Sequence, residues 1–208
     1  MYLKFDVENF KDDLFCMEND FLYDVEGDDL YSKAGGLKIY FSEDGEEGTF
    51  KLAGAFEFHA FNVTELFDYN NPNSRLFFAM DKESQDQIFY YNVFLKAFEN
   101  LKKTLDDDFI LDEILRFTSE KYLITVDDFC IVDEFRRKGI AKYVLDNLSF
   151  IFQHYFNITP ITAVGLLNPH KNEPENMLEI QKKCYKKSGF TIYKGEEYYI
   201  YKNYIRKF

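Results

Sequence analysis

The period of the apolar residues changes several times along this chain, and each change predicts an element. Residues 37–41, LKIYF, alternate as a strand does after a break at Gly35-Gly36, and the acidic run from Glu43 to Gly48 reads as a hairpin loop. A long strand is expected from Thr49 to Val63. Its alternate residues Phe50, Leu52, Phe56 and Phe58 form one apolar face, which leaves Glu57 and His59 on the other face with Ala53 and Ala55. A short strand is expected over 76–80. Ser84-x-x-Gln87 then has the form of a capping box, opening a helix whose Ile88, Tyr91, Leu95, Phe98 and Leu105 face a core. A second helix is expected over 109–118. Residues 1–34 mix acids with aromatics and predict a strand and a short helix.

The clearest pattern begins at Lys121. A strand runs to Val132, fails at Asp133-Glu134, turns through Arg136-Arg137-Lys138-Gly139 and launches a helix in which Ile140, Val144, Leu148 and Phe152 recur four apart. Ile161 to Leu167 reads as a buried strand. The next helix starts near Pro174, carries Met177, Ile180 and Cys184 inward and stops at Gly189. Two strands, 190–194 and 198–204, close the chain around Gly195-Glu196. The expected class is α+β of α/β type, a sheet with helices on its faces, in one domain over 1–208 without linker or repeat.

Composition narrows the function. The 24 Phe and 16 Tyr, with no Trp, are expected mostly in the core, because they bury large areas and favour strands. A net charge of -12 argues against sequence-independent nucleic-acid binding and suits cationic substrates such as amines. Cys16, Cys130 and Cys184 have neither metal-like nor disulfide-like spacing, which fits a reducing, cytoplasmic setting, and Cys130 is expected to be a buried strand residue. No metal site, signal peptide or membrane span is expected, since no apolar run approaches the necessary length.

The turn at 136–139 is where chemistry is expected. A helix start leaves backbone N–H groups unpaired and carries partial positive charge, and Gly139 would let an anion approach that backbone. Three cations there oppose the macrodipole. Two readings remain open at this point: an anionic ligand, or a basic turn tied to nearby acids.

The run from Ile131 to Ala141, IVDEFRRKGIA, resembles the acetyl-CoA-binding signature of the GCN5-related N-acetyltransferases, V-x-P-E-Y-R-G-K-G-I-G, with Arg136, Gly139 and Ala141 at its defining positions. Tyr185 to Phe190, YKKSGF, resembles the same family's Y-x-x-x-G-F. The resemblance covers 121–204. It implies a mixed, mostly antiparallel sheet flanked by helices, with residues 84–118 as a helical insertion before the central strand. It also implies an acetyl-CoA-dependent transfer of acetyl to a primary amine of a small molecule or protein, by direct attack with both substrates bound. Phe129, Cys130 and Ile131 would pair with the pantetheine amides. Backbone groups from Arg136, Arg137, Lys138, Gly139, Ile140, Ala141 and Lys142 would hold the diphosphate. Tyr185 would return a proton to the leaving thiolate.

The general base is left open among Glu57, His59, Asp127 and Asp128, with Glu57 the first choice. Asp127 and Asp128, being adjacent on a strand, are expected to face opposite ways. The chain departs from the family pattern at Asp133, where Pro is usual, and at Arg137, where Gly is usual. Leu178 stands where an Asn is common. The rival class is a CoA-binding protein that has lost turnover and serves a partner. An acetyltransferase acting on aminoacyl-tRNA is disfavoured by the acidic composition. A homodimer is compatible with the sequence.

Overall fold

The computed structural model describes residues 2–8, 32–63, 76–77, 80, 85–105, 121–167, 176–194 and 198–205. Its elements, in chain order, are β1 (Tyr2–Glu8), β2 (Ser32–Ser42), β3 (Lys51–Asn62), α1 (Gln85–Leu105), β4 (Tyr122–Ile131), a 3-10 turn (Asp133–Phe135), α2 (Ile140–Asp146), α3 (Leu148–Phe156), β5 (Pro160–Leu167), α4 (Met177–Lys187), β6 (Thr191–Lys194) and β7 (Tyr198–Asn203). The strands form one sheet in the order β1-β2-β3-β4-β5-β7-β6. Every pairing is antiparallel except that of β4 with β5. This is the mixed, mostly antiparallel α+β architecture expected, and α1 precedes the central strand as the insertion should.

The sheet is covered on both faces. On one, Leu37, Ile39, Phe56, Phe58, Ile124 and Val126 pack against α2, α3 and α4. Phe152 of α3 is central there, with its ring 4.8 Å from that of Phe58 and 5.9 Å from that of Phe56. On the other face Phe61, Leu123, Ile161 and Val164 pack against Tyr91, Phe94, Phe98 and Leu101 of α1. Polar ties fix α1 to the far strands: Asn203 Nδ2 donates to Ala97 O at 3.0 Å, and Asn100 Nδ2 to Tyr201 Oη at 2.6 Å. Buried amides satisfied in this way fix register as well as position.

Several sequence expectations change. Gly35-Gly36 lies inside β2 rather than before it, because a side chain at Gly35 would collide with the Phe58 ring from β3. Ala53 is an extra residue opposite the Ile39–Tyr40 step, and this bulge turns Leu52 out to solvent and Ala53 in. The single helix after the turn is two, broken at Asn147, although Ile140, Val144, Leu148 and Phe152 are all buried as their spacing requires. Leu76, Phe77 and Met80 are helical, not extended. On α4, Ile180 faces solvent and Tyr185 is the buried residue. The expected helix over 109–118, the capping Ser84, and the N-terminal helix lie outside the described residues.

The Y-x-x-x-G-F segment has a structural role of its own. Phe190 N donates to Tyr185 O and Gly189 N to Lys186 O, each at 3.0 Å, with Gly189 at φ 82. The Phe190 ring meets the Tyr185 ring edge-on at 5.2 Å. That is a Schellman closure with its apolar staple, so this spacing ends the helix and locks Tyr185 in place. Lys202 Nζ completes it by donating to Ser188 O at 2.8 Å.

Two substitutions separate these contributions in urea unfolding. Phe152→Ala should cost about 3–5 kcal/mol, since a fully buried ring leaves a cavity among Phe56, Phe58 and Phe156. Gly189→Ala should cost about 1 kcal/mol, because the added methyl meets only open contact and the penalty is the left-handed backbone alone.

Candidate active site

Central strand β4 carries a second bulge. Glu57 of β3 pairs with Asp128, and the next residue, Phe58, pairs with Val126, which leaves Asp127 as the extra residue. A bulge bends its strand and disturbs the alternation of side chains. Phe129 packs with the core formed by α2–α4, so Asp128 lies on the α1 face, and Asp127 lies there too because it is bonded to His59. The two carboxylates therefore share a face, contrary to the expectation from plain alternation.

The bulge coincides with a parting of strands. β4 pairs with β5 only from Tyr122 to Val126, and β5 pairs there only up to Gly165. Beyond that point β4 continues to Ile131 with β3 as its partner, while Leu166 and Leu167 of β5 pair with β7. Asp128 to Ile131 thus present an unpaired edge among the described residues. Val132 N donates to Ala53 O, so Cys130, two residues back, also turns its peptide groups towards β3. Phe129 and Ile131 turn theirs to the open edge. Cys130 is corrected on both counts: its peptide is committed to β3, and its side chain is exposed rather than buried.

The edge leads into the turn. Phe135 N and Arg136 N close the 3-10 segment on Val132 O and Asp133 O. Arg137 then takes φ 64 and Gly139 φ 84, both left-handed. Arg137 adopts this glycine-favouring conformation at a cost of about 1 kcal/mol. Helix α2 has no side-chain cap, and its first backbone bond is Tyr143 N to Gly139 O, so the N–H groups of Ile140, Ala141 and Lys142 have no partner among the described residues. Among the described residues, nothing lies within 4 Å of where a Cβ on Gly139 would be. Exposed peptide donors in front of open space fit a diphosphate.

Several of the side-chain cations at the turn are tied to the protein's own acids and carbonyls. Arg136 Nε donates to Ile131 O at 3.0 Å, and its Nη2 pairs with Asp133 at 3.0 Å, so this guanidinium ties the turn to the strand. Lys138 Nζ pairs with Glu43 at 2.9 Å and lies 4.8 Å from the Phe41 ring centre. Glu43 is held there by the β2–β3 hairpin. In that hairpin Asp44 accepts from Ser42, Thr49 and the Glu46 N–H, contacts led by Thr49 that pull its carboxyl down to about 2. Lys142 pairs with Asp146. Of the two sequence readings of the turn, the tie to nearby acids is seen at Arg136 and Lys138.

Tyr185 reaches this region from α4. Burial pushes its phenol well above the usual range, and Cys184, Tyr90 and Asp128 add to the shift. Tyr90 belongs to the α1 face and Asp128 lies on it, whereas Tyr185 packs in the opposite core.

On the α1 face, His59 Nδ1 and Asp127 Oδ2 are 2.6 Å apart, each side chain about a quarter exposed. Thr125, directly paired with His59, keeps a sealed hydroxyl without a partner. Glu57 is exposed opposite Asp128. The sequence named His59 and Asp127 separately but gave no sign of their contact, because they are 68 positions apart and only the bulge brings them together. His154 is exposed and stacked on Phe150, and His170 lies outside the described residues. No group of metal-ligating side chains occurs among the described residues, and no helix among them is long and apolar enough to cross a membrane.

No family model and no curated protein matches the sequence. Among solved structures, the chain is similar to Arabidopsis thaliana NAA60 in complex with acetyl-CoA, at 13% identity and a TM-score of 0.42, over 96% of each chain. It is similar to the same protein in complex with a bisubstrate analogue, at 13% identity and a TM-score of 0.40, again over 96% of each chain. Those scores do not decide the fold, which stands on the strand order and register above.

The clamp at the turn is directly testable. Arg136→Ala should lower stability by about 1–2 kcal/mol in denaturant titration, since a charge-assisted bond to a strand carbonyl is lost. Lys138→Ala should change it by less than about 1 kcal/mol, being a partly exposed ion pair.

Proposed function

We propose that this chain is an acetyl-CoA-dependent N-acetyltransferase of the GCN5-related kind, acting on a primary amine. The observation that carries the reading is the open β4 edge, which offers the Phe129 peptide groups and the Ile131 N–H among the described residues, running into the open, uncapped turn at Gly139. An edge strand of this kind pairs with an extended amide chain, and a turn of this kind takes the phosphates that follow it. Ile140, Ala141 and Lys142 contribute main-chain donors. Arg136 contributes by shaping the turn, and Arg137 and Lys138 flank it.

The thioester end of such a substrate would meet the vertex where β4 leaves β5. Tyr185 on one side of that vertex supplies the proton for the leaving sulfur. Burial that opposes its ionisation opposes a free thiolate as well, so the two stay within reach of each other, as they are in water with pKa values about 1.5 units apart. The amine approaches from the α1 face. There Glu57 and Asp128 give a negative rim that suits an ammonium, and Glu57 is one candidate to take its proton.

Calorimetry with acetyl-CoA tests the first half, and release of CoA thiol with spermidine, a lysine-containing peptide and a peptide with a free N-terminus tests the second. Gly139→Asp should abolish acetyl-CoA binding, since it sets a carboxylate against the phosphates. Tyr185→Phe should lower kcat by about 10²–10⁴-fold with acetyl-CoA affinity unchanged, the range for loss of a general acid. Unaltered acetyl-CoA binding in Gly139→Asp would remove the site, and a silent Tyr185→Phe would remove the acid.

A further inference from the structure

We infer that the base in this reaction is the His59–Asp127 pair, with His59 accepting the amine's proton and Asp127 positioning it, and that Glu57 serves the negative rim instead. The inference rests on the acetyltransferase reading above. Its starting point is the short contact between His59 Nδ1 and Asp127 Oδ2, 2.6 Å, made possible by the bulge that turns Asp127 onto the α1 face. An ionised carboxylate only accepts hydrogen bonds. Nδ1 must therefore carry the hydrogen, and in the neutral ring the basic lone pair is on Nε2.

Position favours the pair. Asp127 is the residue next to Val126, where the β4–β5 ladder ends, and Asp128 beyond it is close enough to influence the Tyr185 phenol. Tyr185 packs on the α2–α4 face and the His59–Asp127 pair lies on the α1 face, an arrangement compatible with one serving the leaving sulfur and the other the arriving nitrogen. Chemistry favours it too. An ordinary imidazole has a pKa about four units below that of an alkylammonium, and an ordinary carboxylate about six, so the imidazole is the better matched base. Glu57 is exposed, with no carbonyl, hydroxyl or cation orienting it among the described residues, whereas the His59 ring is fixed by Asp127 and stacked 6.3 Å from Phe61.

The proton count closes. The ammonium gives up two protons on becoming an amide, the first to His59 Nε2 before the nitrogen lone pair attacks the thioester carbon. The C–N bond forms and the C–S bond breaks, with the electron pair going to sulfur. Sulfur takes one proton from Tyr185. The amide nitrogen's second proton restores the phenol through the site, and the imidazole's proton leaves to solvent. One proton is released per acetyl group transferred.

Ethylamine and 2,2,2-trifluoroethylamine test this, because they are similar in size and the second is already neutral at the assay pH. With the full-length protein, His59→Gln should lower kcat/KM for ethylamine by about 100-fold or more while changing that for trifluoroethylamine by less than about 10-fold. Asp127→Asn should show the same asymmetry with a smaller loss. Equal losses with both amines, or no loss with either, would overturn the assignment. If His59→Gln does not fold, Asp127→Asn carries the same comparison. Acetyl-CoA binding and the Tyr185→Phe defect are the separate tests of the acetyltransferase reading, so a failed base leaves that reading intact.

Discussion

One extra residue in the central strand sets the geometry on which the site depends. Asp127 interrupts the β3–β4 ladder at the level where the β4–β5 ladder stops, so β4 bends towards β3 and away from β5. A continuous parallel pairing would have satisfied the Phe129 peptide groups and the Ile131 N–H and sealed the gap; the Ile131 carbonyl is instead taken by Arg136. Unpaired edges are costly in a buried sheet, and proteins keep them where another chain or ligand completes the ladder. The same bulge rotates Asp127 onto the face of His59. Opening the strand edge and bringing Asp127 to His59 are thus two results of one extra residue.

Such an opening survives only if the rest of the sheet is held firmly. The aromatic layer of Phe56, Phe58, Phe152 and Phe156 on one face, and of Phe61, Phe94 and Phe98 on the other, clamps β3 and the base of β4 between helices. Packing at the density of an organic crystal leaves little freedom for the strands to slide back together. At the far end, the Schellman closure at Gly189 fixes the Tyr185 ring against Phe190, so its phenol is aimed by packing.

What the sequence made legible follows from which forces are local. The strand–turn–helix at 122–148 was readable because alternation, the charged turn, Gly139 and fourfold apolar spacing are all signals within a few residues of one another. The helix end at Gly189 was readable for the same reason. The bulges at Ala53 and Asp127 were not, since the position of a bulge is decided by the register with the partner strand, which lies far away in sequence. Every misplaced side chain near the site descends from them: Leu52 turned out, Asp127 turned to join Asp128, Cys130 committed to β3. Gly35-Gly36 was misread as a break because its cause, the Phe58 ring, lies on another strand.

The charges at the turn bear on how an acidic chain can hold a phosphate at all. With a net charge of -12, long-range attraction works against an anion, and the local cations are partly spent on Asp133, Glu43 and Asp146. Those pairs do not make the turn strongly positive; they make it rigid, with Arg136 fastened to the Ile131 carbonyl and Lys138 to the β2–β3 hairpin. What remains for an anion is the row of peptide N–H groups at Ile140, Ala141 and Lys142, fixed in direction and unobstructed at Gly139. Oriented peptide dipoles act over a few ångströms, where mobile salt does not intervene, and they need no net charge. The acidic remainder of the surface is then free to favour a cation on the opposite face, where Glu57, Asp127 and Asp128 stand together. On the proposed reading, the short reach of the one interaction and the long reach of the other would let one acidic chain accommodate both.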